Sequence, residues 1–297
     1  MDRSNSKFRV VPGRALELQH FHYQETIFFP ERRLPEYAVV CCFSGRINVV
    51  ENNAQIALLP GEILIGNPRL PRASEYVPVD GVCEGATVVV GAKQMQEFLE
   101  ELRLVEPGAG ALMLGKIAVP ECVAQMKYAL EVVGQGHSGA QRYLDGFLSQ
   151  FLVEVLWKWP SAAIVPRSMT QGYLLSLRHF VQAVEYMNQC AKNEFAVDTL
   201  CGEIGISVAH FRRLLFASAQ RSPLEFYNGV LIRRAQKLIG GDRSLKQVSY
   251  QLGFATQSQF GKIFREHTGC SPAEYRERGA VLESKSMAVG SIIPKRI

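Results

Sequence analysis

His20 and His22 stand two residues apart, which places both on one face of an extended strand, a spacing that suits two ligands of a metal ion. No further histidine occurs before His137, and no third histidine or clear carboxylate can be placed beside the pair from sequence. The solvent face of a strand is therefore the reading of these two residues. Cys41 and Cys42 invite a redox role, but adjacent cysteines in a strand point to opposite faces, and buried cysteine is a common small core residue. The seven cysteines include no CxxC pair, which fits a reducing compartment better than a disulfide framework. With no nucleophile elbow, phosphate loop or paired metal ligands, an enzyme is not expected, nor a catalytic residue, a metal or a cofactor.

The chemistry that remains is recognition, and it is written twice. Val197–Phe216 and Leu245–Phe264 carry one helix-turn-helix pattern. Phe211, Leu214, Leu215, Ser222, Pro223, Glu225 and Phe226 align with Phe260, Ile263, Phe264, Ser271, Pro272, Glu274 and Tyr275 at a constant offset of 49 residues. Such an internal repeat is harder to produce by chance than a single motif. In the first copy Leu200, Ile204 and Ile206 are the apolar positions of a short helix and its turn, Gly205 stops that helix and Ser207 caps the next. In the second, Val248, Leu252 and Phe254 take those places, Gly253 is the turn glycine, and Thr256 or Ala255 opens the following helix. Cys201 and Ser249 match as small residues that let two helices cross closely.

Between the copies Ser222 and Pro223 start a longer helix, with Leu224, Tyr227, Leu231, Ala235 and Leu238 at helical spacing. At about 1.5 Å per residue it spans about 25 Å, so two recognition helices could reach major-groove faces roughly 34 Å apart. Charge points the same way. Residues 195–280 hold 12 Lys plus Arg against 7 Asp plus Glu, while the rest of the chain balances 21 against 21, so the formal net charge of +5 lies in this stretch. A positive excess suits a phosphate-contacting surface.

The stretch SLKQVSYQLGFATQSQFGKIFREHTGCSPAEYR, Ser244–Arg276, resembles the signature of the AraC/XylS family of transcription regulators almost throughout, and residues 195–278 look like that family's DNA-binding domain. The resemblance implies seven helices, two helix-turn-helix units on a linker helix, binding to asymmetric promoter sites, and activation as the usual output. Carried over residue by residue, it implies base reading by Ala209, His210, Arg212 and Arg213 in the first recognition helix, and by Gln257, Ser258, Gln259 and Lys262 in the second. The side-chain types fit base reading, since Arg can pair bidentately with guanine and Gln with adenine, while Ser or Lys can take a base edge or a phosphate. Two positions depart from the pattern. Gln220 stands where the family usually has glycine, which could alter the pose of the first copy, and Gly261 occupies an exposed position inside the second recognition helix.

The fold class expected is α+β: an N-terminal cupin-like β-barrel or jelly roll with flanking helices, and a C-terminal all-α domain. Residues 1–159 would be the regulatory and dimerisation domain, 160–171 a linker, 172–280 the DNA-binding domain, and 281–297 a disordered tail. Short runs such as Ala38–Phe43, Arg46–Val50, Gln55–Leu59, Glu62–Gly66 and Ala86–Val90 read as strands between Gly, Pro and Asn turns. LLPGEILIGNP, Leu58–Pro68, resembles a turn of the cupin-like sensor domains found in front of many AraC/XylS modules. Lys93–Leu104, Glu121–Val133 and Gln141–Trp159 have helical periodicity, and in relatives such helices form the dimer interface. No apolar run reaches the length of a membrane span, and Met1–Arg9 lacks the apolar core of a secretory signal, so a cytoplasmic protein is expected.

Within the family, VAHFRRLLFASAQ (Val208–Gln220) and the upstream GYLLSLRHF look most like regulators of type III secretion and virulence genes. That likeness implies promoter DNA and RNA polymerase as partners, a homodimer, and control by a regulatory protein such as a secretion chaperone or anti-activator. The alternative is a metabolic regulator whose N-terminal barrel closes on a small molecule.

Overall fold

The computed structural model describes residues 6–11, 16–51, 54–167, 174–241 and 243–283. They fall into two compact units, Met1–Gln182 with Arg213–Gln220, and Ala183–Arg212 with Arg221–Ile297.

The first unit is built on two antiparallel sheets. Strands β1 (Ser6–Val11), β2 (Glu17–Tyr23), β4 (Tyr37–Ser44), β7 (Glu62–Gly66), β9 (Cys83–Val90) and β11 (Lys116–Ala118) form one, in the order β1-β2-β9-β4-β7-β11. Strands β3 (Ile27–Arg32), β5 (Arg46–Glu51), β6 (Ala54–Leu58) and β8 (Arg72–Val77) form the other, in the order β3-β8-β5-β6. Central strand β4 is apolar on both faces because both are covered. Val39 and Cys41 point into a core shared with three helices, whereas Ala38 and Val40 point toward the four-stranded sheet. Those helices are α1 (Ala92–Glu101), α2 (Pro120–Gly134) and α3 (Ala140–Lys158), which bury Met95, Leu99, Met126, Leu148, Phe151 and Val155 in that core. The expected jelly roll with flanking helices is thus the architecture of this unit.

Some expectations need correction in detail. Helix α1 ends at Glu101, before Leu104, because Arg103 takes a left-handed φ of 55°. Part of the segment expected to link the domains is strand: β12 (Ile164–Arg167) pairs antiparallel with β10 (Gly110–Met113), and the β-branched Ile164 and Val165 supply the propensity. Residues 168–171 of that segment lie outside the described residues. Trp159, just past the end of α3, is buried in the core, while Trp157 in the last turn of that helix is exposed.

Cys41 and Cys42 do take opposite faces, and both are buried. Burial pushes the Cys42 thiol up to about 12 and the Cys41 thiol higher still, so neither supplies thiolate near neutral pH. His20 and His22 share a partly exposed face, and the structure brings to them the carboxylate that sequence could not place. Cross-strand pairing of β2 with β9 sets Glu84 Oε1 3.0 Å from His20 Nε2 and 3.8 Å from His22 Nδ1. Among the described residues no group of three His, Cys, Asp or Glu is arranged to hold a metal ion.

Glu36 makes the first unit sensitive to pH. Burial raises its carboxyl to about 7, although the Leu177 amide donates to its Oε2 at 3.3 Å. A carboxyl whose pKa is raised on folding binds its proton more tightly in the native state, so its contribution is whole below about pH 4.5 and is lost as pH rises through 7. Glu36→Gln keeps an acceptor without the charge. Urea titrations from pH 5 to 8 should show the variant more stable at pH 8 by up to about 3 kcal/mol, with a flatter pH profile.

Candidate nucleic-acid interface

The remaining residues are helical, the second unit holding all of them but 177–182 and Arg213–Gln220, and their helix ends explain why the sequence repeats. Helix α4 (Leu177–Gln189) is followed by α5 (Val197–Ile204), which ends on Gly205 in the left-handed conformation, φ 75°. Ile206 N then donates to Cys201 O at 3.2 Å, closing the turn. Helix α6 (Val208–Ala219) opens under Ser207, whose Oγ accepts from the His210 amide at 3.3 Å. The second copy repeats these devices. After α8 (Leu245–Gln251), Phe254 N donates to Ser249 O at 3.1 Å, and Thr256 caps α9 (Gln257–Thr268) by accepting from Gln259 N at 3.1 Å. The cap is therefore Thr256 and not Ala255. The turn residues of the two copies lie 48 positions apart and the caps 49 apart, so Ala255 is one residue inserted into the second turn.

The offset of 49 also relates two capping boxes. Ser222 N donates to Glu225 Oε2 at 2.8 Å while Glu225 N donates back to Ser222 Oγ, and Pro223 is the first residue of α7 (Pro223–Ile239). Ser271, Pro272 and Glu274 do the same for α10 (Pro272–Glu283), with Ser271 N to Glu274 Oε2 at 2.6 Å. Ser222→Ala should lower the stability of this unit by about 1 kcal/mol, read from a denaturation midpoint, without touching the recognition helices.

Gln220 illustrates the same logic at a helix exit. Its backbone φ is 54°, and the matching Gly269 has φ 76°, so the position demands a left-handed residue in both copies. Glutamine tolerates it by donating its side-chain amide to Phe216 O at 3.1 Å. The backbone of this exit thus takes the same left-handed form as the second copy despite the residue change.

Ala209, His210, Arg212 and Arg213 are all exposed, as are Gln257, Ser258, Gln259 and Lys262. Phe211, Leu214 and Leu215 bury the opposite face of α6, and Phe260 and Phe264 that of α9, leaving Ile263 half-buried. Gln259 has a local duty, since its Oε1 accepts from Ala255 N at 3.3 Å. Gly261 faces open space, with nothing within 4 Å of where a Cβ would stand.

Other cations of this unit have structural roles that sequence reasoning did not separate from binding. Arg234 donates to Cys190 O at 2.7 Å, and Arg276 donates to Ile239 O at 3.1 Å and Arg243 O at 2.6 Å, tying off helix ends. Lys192 lies over the rings of Tyr227 and Phe254, and burial lowers its pKa.

Residues 200–278 match a family model described as a helix-turn-helix domain. The probable transcription factor PqrA of Proteus vulgaris is 30% identical over 96 residues, spanning 31% of this chain and 78% of that protein. The chain belongs to the AraC/XylS family of transcriptional regulators. As a member it is a DNA-binding transcription regulator. The likeness extends beyond the helix-turn-helix module: the HTH-type transcriptional regulator ExsA of Pseudomonas aeruginosa is 24% identical over 259 residues, 84% of this chain and 89% of its own. Among solved structures, that of ToxT from Vibrio cholerae is 16% identical and covers 89% of this chain and 98% of its own, with a TM-score of 0.36. Among the described residues, no helix of this AraC/XylS regulator is long and apolar enough to cross a membrane.

Proposed function

We propose that this AraC/XylS regulator is a cytoplasmic activator of transcription that reads an asymmetric promoter site through two recognition helices and contacts RNA polymerase from there. The observation that carries the reading is the repeat itself: two copies of one capped turn, each followed by a helix whose buried face is aromatic or aliphatic and whose exposed face holds hydrogen-bonding side chains. Arg212 and Arg213 on α6, with Ala209 and His210 beside them, form one reading face; Gln257, Ser258, Gln259 and Lys262 on α9 form the other. Residues 172–280 act as the DNA-binding domain, residues 1–159 as a regulatory and dimerising domain, and the protein has no enzymatic role.

The target genes are those of type III secretion or virulence, a reading supported by the subgroup likeness of Val208–Gln220. Regulation by a chaperone or anti-activator follows from the same likeness. Genome-wide mapping of binding and transcripts with the intact protein and with Gln257→Ala tests this. Peaks that vanish in the variant beside genes that lose expression support a specific activator, and the identity of those genes decides the pathway. Peaks unchanged in the variant, or expression that rises when they vanish, count against it.

A further inference from the structure

Phe216 sits in helix α6 but takes no part in its packing. It is 57% exposed, whereas Phe211, Leu214, Leu215 and Ser218 of the same helix are buried. At about 3.6 residues per turn those four residues form one stripe, and Phe216 falls on the opposite side, two turns beyond Ala209 and one beyond Arg212 and Arg213. The ring therefore extends the face of the expected base-reading residues by about 10 Å toward the end of α6. A single exposed apolar side chain is ordinary on a protein surface. This one stands at the centre of a face whose neighbouring members, Arg212 and Arg213, are charged and equally exposed.

The second copy answers the same position differently. The offset of 49 residues makes Arg265 of α9 the equivalent of Phe216, and it too is exposed. An arginine there can take a phosphate or a base edge. A phenyl ring has neither a charge nor a hydrogen bond to offer, and what a duplex offers it in the major groove is the C5 methyl group of thymine.

We infer that Phe216 is a specificity-determining residue of the first recognition helix, its ring packed on the methyl group of a thymine in the major groove. The inference rests on the reading of α6 as a recognition helix and adds to it a base chosen without hydrogen bonds. Thymine is preferred to cytosine at that position by its methyl group, while Arg212 and Arg213 select their bases separately. An apolar contact neutralises no phosphate, so Phe216 contributes base preference and no salt dependence.

Duplexes enriched from a random pool by the full chain supply the probe. Each thymine is replaced in turn by deoxyuridine, which deletes the methyl group and leaves every hydrogen-bonding group in place. At one position the full chain should lose about fourfold in affinity, the worth of one buried methyl group. Phe216→Ala should be insensitive to that replacement and should bind the unmodified duplex more weakly with an unchanged salt slope. Circular dichroism controls for folding, which alanine at an exposed helical site favours. Leu224→Ala removes another exposed apolar side chain, from α7, and should keep the full deoxyuridine response. No deoxyuridine-sensitive position, a sensitivity that persists in Phe216→Ala, or its equal loss in Leu224→Ala would overturn the assignment. If Phe216→Ala binds as the full chain does while Arg212→Ala binds more weakly, this contact alone fails. If no duplex is enriched, or both variants bind unchanged, the DNA-reading role of α6 fails with it.

Discussion

Gln257→Ala and Arg212→Ala each weaken binding to the cognate promoter fragment by about 1–3 kcal/mol, and each relaxes preference at one base position. Both side chains are exposed near the start of a recognition helix, and among the described residues neither has a side-chain hydrogen-bond partner to lose. Alanine is also the better helix former, so the fold stays intact and the loss falls on recognition alone. Titrations across a panel of single-base operator variants, with circular dichroism as the control, measure both effects. Lys262→Ala provides the contrast: if it serves a phosphate, affinity falls uniformly across the panel and the salt slope drops by about 1. Arg276→Ala should instead lower the unfolding midpoint, because it removes donors from Ile239 O and Arg243 O. Unchanged affinity and base preference in both Gln257→Ala and Arg212→Ala would place the reading face elsewhere.

What the sequence discloses about this molecule depends on how local the cause is. Caps, turn glycines and the buried stripe of a short helix act within a few residues, so Gly205, Ser207, Thr256, Ser222 and Pro223 could be placed from their neighbours. Their repetition at a fixed offset then marked two equivalent helices, α6 and α9, while the residues expected to read bases on them came from the family resemblance. The inserted Ala255 was harder, because a helix tolerates either residue as its opening and only the hydrogen bond from Gln259 N to Thr256 selects one. Long-range pairing was not legible at all. Nothing near Ile164–Arg167 announces Gly110–Met113 as its partner strand, and nothing near His20 announces Glu84. Arg32 and Arg72 mark the sharpest limit. The alternation of Arg72, Ser74 and Tyr76 shows that they share a face, but whether that face is wet or enclosed depends on the other sheet.

The two turn glycines, equivalent in the repeat, should respond very differently to substitution. Gly205 and Gly253 have φ of 75° and 76°, so an alanine at either carries the left-handed strain of about 1–2 kcal/mol. At Gly205 nothing lies within 4 Å of the new Cβ, and strain is the whole effect. At Gly253 the Cβ would stand 2.7 Å from Lys192 N and 2.9 Å from Ala191 Cβ, and would collide with Asn193 Oδ1. Relief requires the backbone of 191–193 to withdraw, which breaks the bond from Lys192 N to Leu252 O, 2.8 Å long, and disturbs Lys192 over Tyr227 and Phe254. Gly253→Ala should therefore cost more than about 3 kcal/mol, the strain together with a lost buried hydrogen bond and displaced packing. Hydrogen exchange distinguishes the cases: amides of α8 and α9 lose protection in Gly253→Ala, whereas Gly205→Ala leaves them protected and loosens α5 modestly. Equal losses in the two variants would mean that 191–193 yields freely and does not brace the second turn. A larger loss at Gly253 would make this segment part of what holds α9 in its reading pose, although it lies some 60 residues earlier in the chain.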